Sequence, residues 1–427
     1  MEPRHRSPLR LPGPWPACAH GLLRQGAAWL HTGRPRTGDE GGDLLVLPSG
    51  PILESRWVGS SWQTTLEGLA LSGSPWEVLE SQLSLGPWVG AATYELACSE
   101  ASLPHQDLPA GTLGMRWQGV RRAIHVRSSQ AELWGFEEAE PEPVDFATVC
   151  SLGRAKGTLQ PKWNEATHRR AVEAIQLQIR EGAFYVANLC VPFEGPFQGD
   201  PITAALAAFR AALPPYGAML DMGDHHLLCL SMERLLSRKG DQLRSEPIKG
   251  TLPLTGDNEV DDLAATALQG DPKERAEHAM IVDLIRNDLG RVAETGSVQV
   301  SRFMEGERFP TVQHLVSRVE AKAKPNLRLA ELLRSVLPGG SVTGAPKHSV
   351  CAHLSKVEAG PRGFYCGGLG WIDINGDLDL ALPIRTAELS ANSIRYWAGG
   401  GITLRSNPFN EWREMFIKIK AIQSAIG

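Results

Sequence analysis

The sequence has few cysteines, and none has the spacing of a metal-binding or disulfide framework. Its 7 cysteines are an odd number, and no two are arranged as Cys-x-x-Cys. A zinc ribbon needs cysteines paired at short spacing, and a disulfide scaffold needs an even set. We therefore expect reduced thiols, as in a cytoplasmic protein.

Long apolar runs and an excess of basic charge are also lacking. No stretch approaches the ~20 consecutive apolar residues of a membrane-spanning helix, and Pro12 and Pro14 stand where a signal peptide would have its apolar core. The formal net charge is -5, whereas a nucleic-acid-binding surface is typically basic. We expect neither a membrane nor a nucleic-acid partner. With 42% hydrophobic and 21% charged residues, the composition is that of a soluble globular protein.

Strand-like and helix-like segments are mixed along the chain without the regular alternation of a doubly wound sheet. Residues 43–47, 51–55 and 116–136 favour strands, whereas residues 164–182 have helical spacing. This mixture favours an α+β fold. We place the main boundary near residue 155, which separates an N-terminal region, residues 1–155, from a second region, residues 156–427.

A single lysine stands between a proline and a glycine in residues 247–251, Pro-Ile-Lys-Gly-Thr. Pro247 restricts its own φ and favours an extended Glu246, and Gly250 allows a turn or a close approach to a ligand. If it is desolvated, Lys249 is suited to act as a nucleophile. An exposed lysine on a turn is the ordinary structural interpretation.

Two predicted helices each begin with a pair of glutamates three positions apart. The first follows Asp271 and Pro272 and carries Glu274 and Glu277. The second follows an Asn-Pro pair at 407–408. It carries Glu411 and Glu414, with Lys418 on the same face. Acidic first turns are common because the helix dipole favours them. Two such pairs also make a carboxylate site for a divalent cation such as Mg²⁺ plausible.

Other segments contain side chains suited to anions or to proton transfer. They are Glu233 after a strand-like run, His314 in an apolar setting, the glycine-rich residues 339–347, Arg385 after an apolar strand, and residues 399–401, Gly-Gly-Gly. An arginine can grip a carboxylate with two hydrogen bonds. Glycine-rich backbone can bind an anion or simply form a turn. Taken alone, Glu233 is typical of a surface or ion-paired acid, and His314 is typical of a core histidine.

Together these segments resemble the chorismate-utilising enzymes. The motifs occur in the family's order: Ser-x-Glu-Arg (231–234), Pro-Ile-Lys-Gly-Thr (247–251), Lys-Glu-Arg-Ala-Glu-His (273–278), Gly-Ser-Val-Thr-Gly-Ala-Pro-Lys (340–347), Ile-Arg-Thr-Ala (384–387), Gly-Gly-Gly-Ile (399–402) and Glu-Trp-Arg-Glu (411–414). The resemblance is strong over residues 165–427 and weak before them. It implies two large antiparallel β-sheets packed with helices in a layered sandwich, and Mg²⁺ as cofactor.

Within the family, the pentapeptide at 247–251 implies the reaction. The anthranilate-forming branch has alanine where Lys249 stands, and the branch that makes 4-amino-4-deoxychorismate, on the way to p-aminobenzoate and folate, has lysine. The resemblance therefore implies amino-group transfer to chorismate through a covalent intermediate on Lys249. Anthranilate synthesis remains the alternative, and a non-catalytic binding subunit with the same fold is a third interpretation.

The resemblance also implies roles for individual residues. Lys249 would be the nucleophile, Glu233 the general acid, and His314 would lie near the substrate ring. The magnesium site would be formed by Glu274, Glu277, Glu411 and Glu414. Chorismate would be bound by Arg385, Tyr365, Thr343, Lys347, Lys418 and the backbone of Gly399, Gly400 and Gly401.

Two further expectations concern ammonia and water. No glutamine amidotransferase motif is recognisable, so the resemblance implies a separate glutaminase subunit that supplies ammonia. Val186 stands where the family's synthases usually have glutamine and its hydroxylating isomerases have lysine. Because a valine cannot activate water, the sequence argues against isochorismate formation.

Overall fold

The computed structural model describes residues 1–12, 14–31, 42–127, 130–139, 141, 144, 146, 154–308 and 312–427. Within these ranges, the side chains of residues 251–253, 272–274 and 312 lie outside the description.

The described strands, in chain order, are β1 (His5–Pro8), β2 (Ala28–His31), β3 (Asp43–Val46), β4 (Ile52–Val58), β5 (Ser61–Leu66), β6 (Leu69–Leu71), β7 (Trp88–Ala92), β8 (Leu113–Gly119), β9 (Arg122–Arg127), β10 (Gln130–Gly135), β11 (Lys156–Gly157), β12 (Gln160–Pro161), β13 (Val186–Gln198), β14 (Tyr216–Asp221), β15 (His226–Ser231), β16 (Arg234–Lys239), β17 (Gln242–Glu246), β18 (Ile248–Pro253), β19 (Gln299–Arg308), β20 (Val312–Lys322), β21 (Gly344–Ala345), β22 (Gly368–Ile372), β23 (Leu378–Ala381), β24 (Thr386–Leu389) and β25 (Ser393–Ile402).

The described helices are α1 (Trp15–Leu23), α2 (Pro75–Ser81), α3 (Tyr94–Glu100), α4 (Glu165–Arg180), α5 (Pro201–Ala212), α6 (Asn258–Gly270), α7 (Pro272–Gly290), α8 (Leu329–Val336), α9 (Gly340–Thr343), α10 (Lys347–Val357) and α11 (Pro408–Ile426), with a short 3₁₀ turn at Leu83–Leu85. None of the helices in the described part of the chain is both long and apolar enough to cross a membrane.

The described strands form two large antiparallel sheets. The first has the order β1-β10-β9-β3-β2-β14-β15-β24-β25-β13-β11, with β12 and β21 also paired to β13. The second has the order β18-β20-β17-β16-β23-β22-β7-β8-β4-β5-β6, with β19 also paired to β20. This confirms the α+β fold with two layered sheets that the sequence resemblance implies.

Strands from before residue 155 lie in both sheets. In the first sheet, β2 pairs with β14, and Met219 stands opposite Trp29. In the second, β7 pairs with β22, and Gly90 stands opposite Gly370. The N-terminal strands therefore share hydrogen-bonded sheets with strands from the second region, and the two regions have a common core.

The core is divided between the space separating the sheets and the outer helical layers. Between the sheets, Val46 and Leu220 of the first sheet are buried with Val89 and Leu369 of the second. Helix α11 covers the first sheet with Met415, Ile419 and Ile422, and α7 covers the second with Ile281 and Ile285. Each fully buried aliphatic side chain contributes about 1.5–3 kcal/mol, so both helices are held firmly over the sheets.

The capping signals found in the sequence place the helix starts correctly. The side chain of Asn164 accepts from Thr167 N at 2.9 Å at the start of α4, and Asn407 caps α11 through Phe409 N at 3.0 Å. Phe416 of α11 remains 36% exposed beside the buried Met415 and Ile419, and residues 340–343 of the glycine-rich segment form the short helix α9.

Candidate active site

Lys249 lies at an irregular point of strand β18. Its backbone stands opposite Leu315 of β20, and the register of the pair shifts between Lys249 and Thr251. Gly250 takes up the shift with φ of +70°, and a Cβ at this position would lie 2.8 Å from Cδ2 of Leu268. Only glycine adopts this conformation without strain. Gly250 therefore forms an irregularity in strand β18 directly after Lys249.

The lysine amine meets helix α7. Nζ of Lys249 lies 3.3 Å from Oε2 of Glu277, and these side chains are 23% and 10% exposed. The other oxygen of Glu277 accepts from Oγ1 of Thr403 at 3.3 Å. An ion pair that is mostly shielded from water is stronger than a surface pair. Glu277 therefore holds the lysine at a defined place.

Gly399, Gly400 and Gly401 of β25 lie beside these groups and, because they have no side chains, leave their backbone accessible from that side; we call this surface the glycine wall. A Cβ on Gly401 would lie 3.4 Å from Nζ of Lys249 and 3.5 Å from Cγ2 of Val186, and one on Gly400 would lie 3.3 Å from Oε2 of Glu411. Residues 399–401 pair with β13 on one side. The described pairing of β24 with β25 ends at Tyr396, so it does not extend to the three glycines.

Helix α11 brings the second pair of glutamates to the same wall. Lys418 Nζ lies 2.7 Å from Oε1 of Glu414 and donates to the carbonyl of Gly399 at 2.7 Å. Burial raises the pKa of the Glu411 carboxyl, as does the charge of Glu414, while Ser406, Lys418 and Lys249 act in the opposite direction. Glu411 is thus electrostatically coupled to the lysine on β18.

The four glutamates of the expected metal site are only partly described. The side chain of Glu274 lies outside the described residues. Among the side chains that the structure describes, no three or more of histidine, cysteine, aspartate and glutamate come close enough together to hold a metal ion. The described donors Glu277, Glu411 and Glu414 are carboxylates, the ligand type that Mg²⁺ prefers.

Glu233 is buried after the end of β15. Its Oε1 accepts from Oγ of Ser341 in α9 at 2.7 Å, and the residue is 5% exposed. The surface interpretation of this residue is therefore wrong. The hydroxyl of Ser341 orients a carboxyl that can hold or release a proton inside the protein.

Two histidines flank the lysine strand. Nδ1 of His314 lies 3.2 Å from the carbonyl of Gly250. Nε2 of His278 lies 2.5 Å from Oγ of Ser317. Burial, with a smaller contribution from the charge of Lys249, lowers the pKa of His278 to about 4. His278 is therefore a neutral donor or acceptor near neutral pH. The sequence reasoning missed its role, although it directly follows Glu277 in the motif.

Arg385 precedes β24 with φ of +52°, a conformation that favours glycine. Burial lowers the pKa of its guanidinium, which the nearby Tyr396 partly offsets. In the part of the chain that the structure describes, no carboxylate forms an ion pair with it. A shielded cation of this kind favours an anionic ligand.

The remaining predicted binding residues have partners of their own. Tyr365 is stacked on Trp397 with ring centroids 6.5 Å apart, and burial raises the pKa of its hydroxyl well above the ordinary range. Oγ1 of Thr343 donates to the carbonyl of Gly339 at 3.1 Å. Lys347 forms an ion pair with Asp288 at 2.7 Å. These contacts fix the α9 turn and its surroundings.

The structure thus brings eight of the predicted residues together: Lys249, Glu277, Gly399, Gly400, Gly401, Glu411, Glu414 and Lys418. Glu233 is linked to α9, whereas Thr343 and Lys347 are held in separate contacts. The arrangement places an amine, carboxylates of different exposure and half-buried glycine backbone side by side, which suits addition and elimination on an anionic substrate.

Comparisons with known proteins support the same chemistry. A family described as chorismate binding enzyme matches residues 66–424. The chain is 40% identical over 348 residues to aminodeoxychorismate synthase component 1 of Klebsiella aerogenes, covering 79% of this chain and 76% of that protein. It is 38% identical over 309 residues to anthranilate synthase component 1 1 of Haloarcula marismortui, covering 72% of this chain and 61% of that protein.

The fold is likewise similar to solved structures. Anthranilate synthase component I from Streptococcus pneumoniae superimposes with a TM-score of 0.76 at 27% sequence identity, covering 89% of this chain and 92% of that one.

Proposed function

The chain belongs to the chorismate-binding enzyme family, and from that membership we propose that it converts chorismate and ammonia into 4-amino-4-deoxychorismate. The observation that carries the proposal is the position of Lys249, paired with Glu277 beside the glycines of β25. Several relatives named aminodeoxychorismate synthase, including those of Klebsiella aerogenes and Bacillus subtilis, support the choice of reaction.

Lys249 is the proposed nucleophile. The neutral amine attacks C2 of chorismate, both ring double bonds shift by one position towards C4, and the C4–O bond breaks, so that the hydroxyl leaves as water once it has received a proton. Ammonia then forms the C4–N bond, both double bonds shift back, and the C2–N bond to Lys249 breaks. The proton that the ammonia nitrogen loses balances the one that the lysine amine gave up. A covalent intermediate divides one difficult displacement into two easier steps.

Glu233 is the proposed donor of the proton to the leaving hydroxyl. Its burial and the hydrogen bond from Ser341 support this role, because they hold the carboxyl at a fixed place inside the protein from which it can transfer a proton. The side chain of Val186 lies next to Gly401 and Lys249, and it has no polar group. It therefore provides no base for water, which favours amination over hydroxylation.

Mg²⁺ is the proposed cofactor, with Glu277, Glu411 and Glu414 as candidate ligands and Glu274 completing the set. The donors fit a hard cation, and a cation would relieve the repulsion between Glu411 and Glu414 that contributes to the raised pKa of Glu411. When bound, Mg²⁺ supplies positive charge for a carboxylate of the substrate.

Anion recognition is assigned to the cations and open backbone around the glycine wall. Arg385, with Tyr365 and the backbone of residues 399–401, is proposed to bind the enolpyruvyl carboxylate. Lys418, Thr343 and Lys347 line the surroundings, and His314 lies near the ring. The shielded guanidinium of Arg385 supports this assignment, because a charge-assisted hydrogen bond gains strength away from water.

A separate glutaminase subunit is the proposed source of ammonia. The name component 1 of the Klebsiella aerogenes relative is consistent with a second component. Adding such a subunit with glutamine should replace free ammonium in the reaction. Failure of every tested glutaminase to stimulate turnover would contradict this part of the proposal.

Anthranilate synthesis is the alternative function, supported by the anthranilate synthases to which the chain is similar. The two reactions are separated by incubating the purified chain with chorismate, Mg²⁺ and ammonium and identifying the product by mass. 4-Amino-4-deoxychorismate, which keeps the enolpyruvyl group, would support the proposal, and anthranilate with pyruvate would overturn it. The Lys249→Ala variant, assayed in parallel, tests the covalent route.

A further inference from the structure

A buried ion pair joins the segment of Glu233 to the segment of Lys249. Nη1 of Arg234 lies 2.7 Å from Oε2 of Glu246, and their side chains are 7% and 1% exposed. Arg234 directly follows Glu233, and Glu246 stands three positions before Lys249. One salt bridge therefore connects the residue proposed as acid to the residue proposed as nucleophile through very short lengths of chain.

Further ionic contacts hold both members of the pair. Arg234 donates from Nε and Nη2 to the two carboxylate oxygens of Asp379, each at 2.9 Å. The second oxygen of Glu246 accepts from Nε of Arg318 at 2.7 Å. Two arginines thus balance two carboxylates. Such a network fixes side-chain positions because removing one member leaves a buried charge without its partner.

The backbone ladder is irregular at the point where this network lies. Arg234 stands opposite Glu246, but the register between β16 and β17 shifts before Ser237. On its other side, β16 shifts against β23 between Arg234 and Leu236. A regular ladder would set the relative position of the strands by main-chain hydrogen bonds. Here the side-chain ion pair joins the two strands at the last residue pair before the register shifts.

The connection from Glu246 to Lys249 is short and restrained. Pro247 is fixed in φ by its ring, and its carbonyl accepts from Ser317 N at 3.1 Å. Lys249, in β18, then stands opposite Leu315 of β20. If Glu246 moves, Lys249 must therefore move with it, because the restrained backbone between the two residues cannot change conformation to compensate.

We propose that Arg234 and Glu246 are positioning residues, which set the placement of the Glu233 carboxyl and the Lys249 amine relative to each other and to the substrate. The inference rests on the proposed function for the roles of Glu233 and Lys249. A pair that served stability alone would change the melting temperature without changing turnover by the folded enzyme or the reactivity of Lys249.

The test compares Glu246→Gln and Arg234→Lys with a matched control, Glu100→Gln. Glu100 is also shielded from water and lies 3.2 Å from an arginine, Arg334. It lies on α3, outside the proposed site. Each full-length variant is assayed for melting temperature, for kcat and KM with chorismate, and for the rate at which trinitrobenzene sulfonate labels Lys249, read by peptide mass.

We expect both positioning variants to lose kcat by about tenfold or more, with KM for chorismate changed less, because misplacement of reacting groups acts on the transition state. The labelling rate of Lys249 should change in the same variants. Glu246→Asp, which keeps the charge, should recover part of the kcat. Glu100→Gln should leave both kcat and labelling unchanged.

Wild-type kcat and labelling in folded Glu246→Gln would overturn the proposal, as would equal losses in Glu100→Gln. If Glu246→Gln does not fold, Arg234→Lys decides by the same two readouts. If the wild-type chain forms anthranilate, the proposed function fails. The positioning inference is then decided separately by the labelling rates and by the kcat values for anthranilate.

Discussion

Lys249 and Glu277 face each other across the site, with Nζ of the lysine 3.3 Å from Oε2 of the glutamate. The lysine comes from an irregular strand and the glutamate from α7. Glu277 is also a candidate magnesium ligand. The same carboxylate can therefore orient the amine and contribute to the metal site. Substituting Lys249 or Glu277 should for this reason change the activity of the enzyme.

Removing the amine should abolish the proposed covalent step. We expect Lys249→Ala to lower the rate of 4-amino-4-deoxychorismate formation by about 10³-fold or more, since no other group replaces the nucleophile. Lys239→Ala, on the exposed end of β16, serves as the control and should retain activity. A Lys249→Ala enzyme within about tenfold of wild type would contradict the covalent route.

Neutralising the glutamate should affect both the lysine and the metal. We expect Glu277→Gln to weaken Mg²⁺ binding by at least about tenfold, the effect of losing one carboxylate ligand, and to lower kcat. Calorimetric titration with Mg²⁺ measures the first effect without turnover. Glu294 forms an ion pair with Lys322 at 3.2 Å, and Glu294→Gln is the control. Unchanged Mg²⁺ affinity in Glu277→Gln would remove Glu277 from the metal site.

The glycine after the lysine should tolerate no side chain. Gly250→Ala adds strain of about 1–2 kcal/mol at positive φ and a close contact with Leu268, so denaturant unfolding should show a loss of about 2–3 kcal/mol. Gly240→Ala has a similar φ of +61° with nothing within 4 Å of the added Cβ. It should show the strain alone. Equal losses in the two variants would mean that the contact with Leu268 costs nothing.

A buried carboxyl outside the site should make stability depend on pH. Burial raises the pKa of Glu95 from 4.5 to about 7, although the carboxyl accepts hydrogen bonds from the backbone of Arg362 and Gly363. Because the pKa is higher in the folded state, the stabilisation is complete below the unfolded pKa and is lost as the pH rises through 7. The full loss is about 3 kcal/mol.

Substituting Glu95 by glutamine should remove this dependence. The free energy of unfolding of Glu95→Gln, minus that of wild type, should rise between pH 5 and pH 8, as measured by urea titration at each pH. His168 and His278, whose pKa values are lowered to about 4 by burial, make both proteins less stable as the pH falls, and their effect cancels in the difference. A difference that does not change with pH would contradict the raised pKa.

The shielded arginine before β24 should control affinity for the substrate. Arg385→Lys keeps the charge but loses the two-pronged geometry, so we expect KM for chorismate to rise by about 10–100-fold, the equivalent of one charge-assisted hydrogen bond. Arg413→Lys, on the exposed side of α11, should leave KM unchanged. A KM for Arg385→Lys equal to wild type would exclude Arg385 from carboxylate binding.

Local patterns in the sequence were sufficient to predict several of the elements and the chemical types of most site residues. Caps such as Asn164 and Asn407 locate helix starts because they act on backbone groups two or three positions away. Strand runs such as residues 43–47 and 51–55, which correspond to β3 and β4, were found because alternation and branched side chains act within a few residues. The ordered motifs identified the family, and with it the layered pair of sheets.

The tertiary structure alone decided which of these residues meet. The contacts of Lys249 with Glu277, Glu233 with Ser341, and Arg234 with Glu246 depend on strand order and on three shifts of register, which no local pattern specifies. The neutral state of His278 and the high pKa of Glu95 depend on burial. The sequence by itself determined the elements and the reactive groups, and packing determined their neighbours and charges, because dielectric and distance exist only in the folded chain.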